Sequence, residues 1–194
     1  MNESLAELLR RLEAEGAEND ARETDRRNKF LNLERATAEL VAFLVRSSSR
    51  RNVLEIGTSN GYSTLWIAEA LSHTPGAKLT TLEREAAKQA AARENLASAS
   101  LTHVVEFRLG DATEIVRELA GPFDCVFFDA DRVSAPAQLK LLLPKLTPKA
   151  LLMADNALSH PEEIAGYREF VDQLPNVVWT LVPVGKGLHV AWLD

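Results

Sequence analysis

From residue 53 onward the chain repeats one unit, a short apolar run followed by a stretch with helical spacing. The apolar runs fall at 53–56, 79–82, 104–109, 123–128, 150–154, 177–182 and 188–192. Helical stretches occupy about 62–72, 85–98, 112–119, 135–146 and 162–173. Continuous apolar runs suit strands buried on both faces, and parallel neighbours need a crossover that a helix supplies. The alternation therefore predicts an α/β fold with helices covering both faces of a mostly parallel sheet. Only Pro183-Val-Gly-Lys-Gly187 separates the last two runs. That is too short for a crossover, so they are expected to form a hairpin. The prediction is seven strands, the last one antiparallel.

Ahead of this core, Leu5, Leu8, Leu9 and Leu12 recur at helical spacing among Glu and Arg, predicting an amphipathic helix over 2–18. Asn19-Asp20 is expected to cap a second helix, Ala21 to Phe30, rich in charge (Arg22, Glu23, Asp25, Arg26, Arg27, Lys29). That charged run reads either as a solvated face or as a lid or dimer arm over an active site. Asn32-Leu33-Glu34 breaks the pattern, and a third helix is expected over 36–46. With no linker or repeat, residues 1–194 are expected to form one domain, a helical extension (1–48) on a core (49–194).

The net charge of −6 and the absence of a long basic run argue against a nucleic-acid partner. Cys125, alone and inside an apolar run, rules out an internal disulfide framework and fits a reducing compartment. No apolar signal core opens the chain and no run approaches membrane length, so a cytoplasmic protein with no membrane partner is expected. Trp66, Trp179 and Trp192 are expected to pack the core, and His73, His103 and His189 to occupy surface or strand positions.

In open parallel sheets, ligands collect at the carboxyl ends of the strands. The first run passes through Glu55 into Gly57-Thr58-Ser-Asn-Gly61, and a helix begins near Ser63. Such a strand, glycine loop and helix N-terminus form a site for a nucleotide-like or anionic ligand, or an ordinary turn. A carboxylate at a buried strand end is costly unless paired, and a cationic ligand group would pair it. The three-glycine dinucleotide fingerprint is absent, which disfavours a nicotinamide-dependent dehydrogenase. Glu83, at the second tip, suits a pair of ribose hydroxyls or the start of a helix; Asp111, at the third, suits an adenine amino group or a helix cap. The fourth and fifth tips carry Asp129, Asp155 and Asn156. Two carboxylates and an amide oxygen are hard donors suited to Mg²⁺, although each is also a common turn former.

These motifs resemble the class I S-adenosylmethionine-dependent methyltransferases, with their Rossmann-like sheet. Within that class the chain is similar to the metal-dependent catechol and caffeoyl-CoA O-methyltransferases. The resemblance spans about 30–194 and rests on Leu54–Ser63, Gly110-Asp-Ala112, Phe128-Asp-Ala-Asp-Arg132, Ala154-Asp-Asn156 and the closing Val182–Leu188. It implies that Glu55, Gly57, Thr58 and Ser63 hold the methionine part of S-adenosylmethionine. It assigns Glu83 to the ribose, Asp111 and Ala112 to the adenine, and Leu33 to a backbone contact. It gives Asp129 to cofactor and metal together, and Asp155 and Asn156 to the metal. It also implies a homodimer and a small catechol-like or phenolic acceptor.

The chain departs from the family in three places. Arg132 stands where relatives carry a lysine proposed as general base, and arginine stays protonated. Its expected part is electrostatic stabilisation of a phenolate, with His160 a candidate base or simply a helix-start residue. A tyrosine expected soon after Arg132 is missing, and the loop after Asn156 is short. A non-catalytic cofactor-binding protein is the competing expectation.

Overall fold

The computed structural model describes residues 3–194; residue 2 of the first expected helix lies outside them. The seven expected strands are present as β1 (Asn52–Ile56), β2 (Lys78–Glu83), β3 (Val105–Leu109), β4 (Phe123–Phe128), β5 (Leu146–Ala154), β6 (Val177–Val182) and β7 (Leu188–Leu193). They form one sheet in the order β3-β2-β1-β4-β5-β7-β6. β1 to β5 pair in parallel, while β7 runs antiparallel to both β5 and β6. The expected hairpin therefore forms, and its second strand is inserted between β5 and β6.

Between the strands lie α3 (Tyr62–Ser72), α4 (Ala86–Ser98), α5 (Ala112–Glu118), α6 (Ala135–Leu142) and α7 (Pro161–Asp172), after α1 (Glu3–Arg22) and α2 (Arg35–Ser47). Strand alternation sorts the core by face. Val53, Cys125, Phe127, Leu151 and Met153 pack with α1, α2 and α3, whereas Leu54, Val126, Phe128, Leu152 and Ala154 pack with α6 and α7. The helix expected over 135–146 ends at Leu142, where a 3-10 turn containing Pro144 takes over and β5 begins early.

Two expectations need correction. No second helix spans 21–30. α1 continues to Arg22, a 3-10 turn covers Arg26–Asn28, and the backbone then runs on without helix to α2. Asn19 and Asp20 do not cap a helix. Their side-chain oxygens accept from the Phe30 amide at 2.9 and 2.8 Å, and Asp20 also takes the Leu31 amide, which ties this connection back onto α1. Trp179 does not pack the core: it lies on the edge strand β6 at 38% exposure, beside Val178 at 71%.

Chain order reverses beside β1, because β2 and β3 build to one side and β4 and β5 to the other. Open α/β sheets place ligand crevices at such a switch point. Register does the rest. Ile56 lies opposite both Leu82 and Phe128, and Phe128 opposite Ala154, so the residues that follow emerge on one rim.

Candidate functional site

Each strand tip is fastened to its neighbour by backbone hydrogen bonds. The Gly57 and Thr58 amides donate to Leu82 O (both 3.1 Å), Asp129 N to Ile56 O (2.9 Å) and Asp155 N to Phe128 O (3.1 Å). Gly57 has φ +114°, and a Cβ placed there would lie 2.5 Å from the Asp129 carbonyl oxygen. Only glycine lets the loop after β1 come this close to the tip of β4.

Above this rim opens a cleft of about 680 Å³. Every residue expected at the site lines it except Glu55. Residues 30–33 form one wall as a strap across the cleft. Asp20 holds the strap from one side; from the other, Ser59 Oγ donates to Phe30 O (2.7 Å) and Lys88 Nζ to Lys29 O (2.6 Å). The charged stretch is thus part of the cleft wall, closer to the lid expectation than to a free solvated face. Leu33 sits in the strap, buried against the core.

Glu55 lies beneath the glycine loop. Alternation along β1 turns its side chain to the face that Val53 occupies, where α3 begins. There its carboxylate accepts from Ser63 Oγ, Thr64 Oγ1 and Thr81 Oγ1, each at 2.6 Å. The partners of this buried carboxylate are thus three hydroxyls. Burial still pushes its pKa up from 4.5 to about 7, with the hydroxyls acting against that rise and the nearby Glu83 charge adding to it. A raised pKa means the native chain keeps a proton that the unfolded chain has lost. This group's contribution to stability therefore falls as pH rises from about 4.5 to about 7, by on the order of 3 kcal/mol. Thermal unfolding of Glu55→Gln beside the native chain should show the difference in Tm moving in the variant's favour between about pH 5 and about pH 8. A constant difference would contradict a strained carboxylate.

Glu83 acts as a loop clamp. One oxygen accepts from Ser59 N (2.8 Å), the other from Arg84 N and Glu85 N (both 2.9 Å). A carboxylate offers about four acceptor sites, so one place, on Oε2, stays open to a ribose hydroxyl. Asp111 caps α5, taking Thr113 N (2.9 Å) and Glu114 N (3.1 Å) with one oxygen. Both residues thus combine the helix-start and cleft-lining parts that the sequence had left as alternatives.

At the other end, Asp129 and Asp155 meet on adjacent tips. Burial and the charge of Asp155 hold the Asp129 carboxyl well above its ordinary range; burial lifts Asp155 to about 6. Asp155 Oδ1 is buried without a hydrogen-bond partner, and Asp155 Oδ2 accepts from Asn156 Nδ2. Asn156 takes a left-handed φ of +67°, which turns the chain sharply out of β5. Carboxylates crowded in this way favour a bound cation. An orphaned acidic oxygen beside a second carboxylate and an amide fits a hard divalent ion. Among the described residues no group of three His, Cys, Asp or Glu side chains is gathered closely enough to hold a metal ion.

The comparisons agree with this geometry. Residues 54–157 match the family described as a methyltransferase domain. That stretch runs from β1 to just past Asn156 and contains every strand tip discussed above. The chain belongs to this methyltransferase-domain family.

Among its relatives is a catechol O-methyltransferase of Niastella koreensis, 36% identical over 124 residues, which are 62% of this chain and 55% of that protein. The chain thus spans little more than half that relative's length. The O-methyltransferase ankF of Aspergillus thermomutatus is 30% identical over 178 residues, 78% of this chain and 74% of that one. Of solved structures, an O-methyltransferase from Bacillus cereus in complex with SAH superposes with TM-score 0.81 at 28% identity, over 100% of this chain and 92% of that one.

Three further residues line the cleft, Arg132, His160 and Lys186. Arg132, largely buried, gives Nε (2.9 Å) and Nη2 (2.5 Å) to Glu163 Oε2 at the start of α7. Glu163, four residues beyond Ser159, carried no motif to mark it. His160 precedes α7 and shares a 2.8 Å hydrogen bond between Nδ1 and Ser159 Oγ, at the edge of the cleft. Lys186, in the β6–β7 hairpin, lines the cleft as well; its only sequence signal was the resemblance of the hairpin itself.

Proposed function

We propose that this chain transfers a methyl group from S-adenosylmethionine to a hydroxyl of a small catechol-like or phenolic acceptor, with a divalent metal such as Mg²⁺ at the acceptor end. The observation that carries this reading is the single cleft into which Gly57, Glu83, Asp111, Asp129, Asp155 and Asn156 all face. It is supported by the named activities of the relatives and by the SAH held in the Bacillus cereus neighbour.

In this reading the Gly57-Thr58 backbone and Ser63 receive the methionine part, Glu83 the ribose, and Asp111 with Ala112 the adenine. Leu33 and the strap cover them. Glu55 acts through the loop above it: its charge favours the sulfonium, and Ser63 and Thr64, which it holds, open α3. Asp129, Asp155 and Asn156 would hold the metal, which when bound supplies Lewis-acid polarisation of the acceptor oxygen. The residues themselves bring acceptor oxygen and methyl carbon near contact distance, and the strap keeps water out; positioning of this kind contributes a large share of such rate enhancements. Arg132 locks the β4–α6 turn to α7 through Glu163 and so shapes the acceptor wall. We also propose one methyltransferase domain carrying a helical extension, working in the cytoplasm as a homodimer. Among the described residues no helix is long and apolar enough to cross a membrane.

Thermal shift tests the cofactor. S-adenosylhomocysteine at about a hundred times its Kd should add about 2.7 kcal/mol, or roughly 5–10 °C in Tm for a chain of this size. NAD should leave Tm unchanged. No shift with millimolar S-adenosylhomocysteine would remove the reading, whereas a shift without methyl transfer to any catechol would leave a cofactor-binding protein.

A further inference from the structure

Two cations act on Asp155, Arg132 and Lys186. Arg132 is committed to Glu163, as described above. Lys186 is held differently, from three sides. Its carbonyl accepts from Leu158 N (2.9 Å) and Ser159 N (3.1 Å), and Gly187 O accepts from Ala157 N (2.9 Å). These bonds fasten the hairpin to the segment that directly follows Asp155-Asn156. On the far side Gly185 has φ +53°, and a Cβ there would run into Thr37 and Glu34, so the hairpin is pressed against the start of α2. Finally, Lys186 Nζ lies 3.0 Å from Glu34 Oε1, while Glu34 Oε2 is buried without a hydrogen-bond partner.

Lys186 remains 44% exposed on its side chain and lines the cleft. The groups facing it are Glu34, Asp129 and Asp155. Its positive charge acts on both aspartates against the rise that burial causes. A lysine ammonium has three donors on a flexible stem, so it can keep Glu34 and still turn a donor into the cleft.

We propose that Lys186 is a catalytic residue of the reaction put forward above, its ammonium donating a hydrogen bond to the acceptor oxygen that receives the methyl group. The acceptor O–H proton leaves to solvent water. The oxygen lone pair then forms the new O–C bond as the C–S bond breaks and its electron pair passes to sulfur, leaving the thioether neutral. Lys186 donates that hydrogen bond throughout and stabilises the charge on oxygen before attack.

The proposal rests on the methyltransferase reading, and its test separates the two. The full chain is compared with Lys186→Met, Lys186→Arg and Glu34→Gln. Turnover of catechol is measured with Mg²⁺ and S-adenosylhomocysteine affinity by calorimetry. The ionisation of bound 4-nitrocatechol is followed by its absorbance, with Mg²⁺ present and with EDTA instead. Loss of one preorganised donor to a developing charge costs about a hundredfold or more in kcat. Lys186→Met should show that loss, with S-adenosylhomocysteine affinity changed by less than about threefold. Lys186→Arg should recover about tenfold of it, and Glu34→Gln should stay within about threefold of the native rate. Bound nitrocatechol should ionise about one pH unit higher in Lys186→Met than in the native chain, with or without metal. If Glu34→Gln and Lys186→Met lose activity equally and the nitrocatechol titration does not move, Lys186 is only a tie between hairpin and α2. A native chain that methylates catechol beside an equally active Lys186→Met overturns the role of Lys186 alone. A native chain that binds S-adenosylhomocysteine yet methylates no catechol overturns the reaction itself.

Discussion

Replacing Gly57 by alanine is expected to weaken S-adenosylhomocysteine binding by at least about a hundredfold, the largest effect foreseen for one added methyl group. Two costs combine. A φ of +114° is strained for any L-residue, on the order of 1–3 kcal/mol. The added Cβ would also lie 2.5 Å from the Asp129 carbonyl oxygen and 2.9 Å from its carbon. Those are backbone atoms, anchored by the 2.9 Å bond from Asp129 N to Ile56 O, so the loop has to move instead. Moving it displaces the Gly57 and Thr58 amides from Leu82 O and reshapes the cofactor end of the cleft. Gly76→Ala is the control. It carries a similar strain at φ +76°, but its Cβ would meet only an arginine tip at 3.5 Å. Its Tm should drop by a few degrees with affinity intact. Calorimetry showing Gly57→Ala within about threefold of the native affinity would mean that this loop does not cradle the ligand.

Asp155→Asn should act in two opposite directions. At pH 8 the native Asp155 is ionised although burial has raised its pKa to about 6, so its charge is unfavourable where it lies. Its folded pKa lies above the ordinary 3.8, which makes its contribution to stability fall as pH rises between those values and stay low above them. Removing the charge without changing the shape should raise the Tm of the metal-free protein at pH 8 by several degrees. Mg²⁺-dependent turnover on a catechol should fall by about a thousandfold, since polarisation by a metal is worth several kcal/mol in the transition state. Mg²⁺ should raise the Tm of the native chain and leave that of the variant unchanged, while S-adenosylhomocysteine binds both alike. A residue that only supported the fold would lose stability and activity together. Turnover equal to the native rate would remove Asp155 from the metal site.

The alternation of apolar runs and helical stretches was enough to predict seven strands, and the five-residue gap before β7 was enough to predict its reversed direction. Both are local consequences of chain geometry: a crossover needs length, and a strand buried on both faces needs continuous apolar side chains. The same logic brought Glu83, Asp111, Asp129 and Asp155 to one rim, because parallel strands joined by helices all end on the same side. No local pattern placed β7 between β5 and β6, ended the first helix at Arg22 or turned residues 30–33 into a wall of the cleft. Those outcomes hang on bonds between separate segments: the ladders of β7 with β5 and β6, Asp20 to the Phe30 amide, and Ser59 to Phe30 O. Glu55 shows the division within a single residue. The sequence by itself put a carboxylate at the end of a buried strand and required a partner for it. Only tertiary structure decided that the partners are Ser63, Thr64 and Thr81, because α3 and β2 must first pack on β1 before their hydroxyls can reach it.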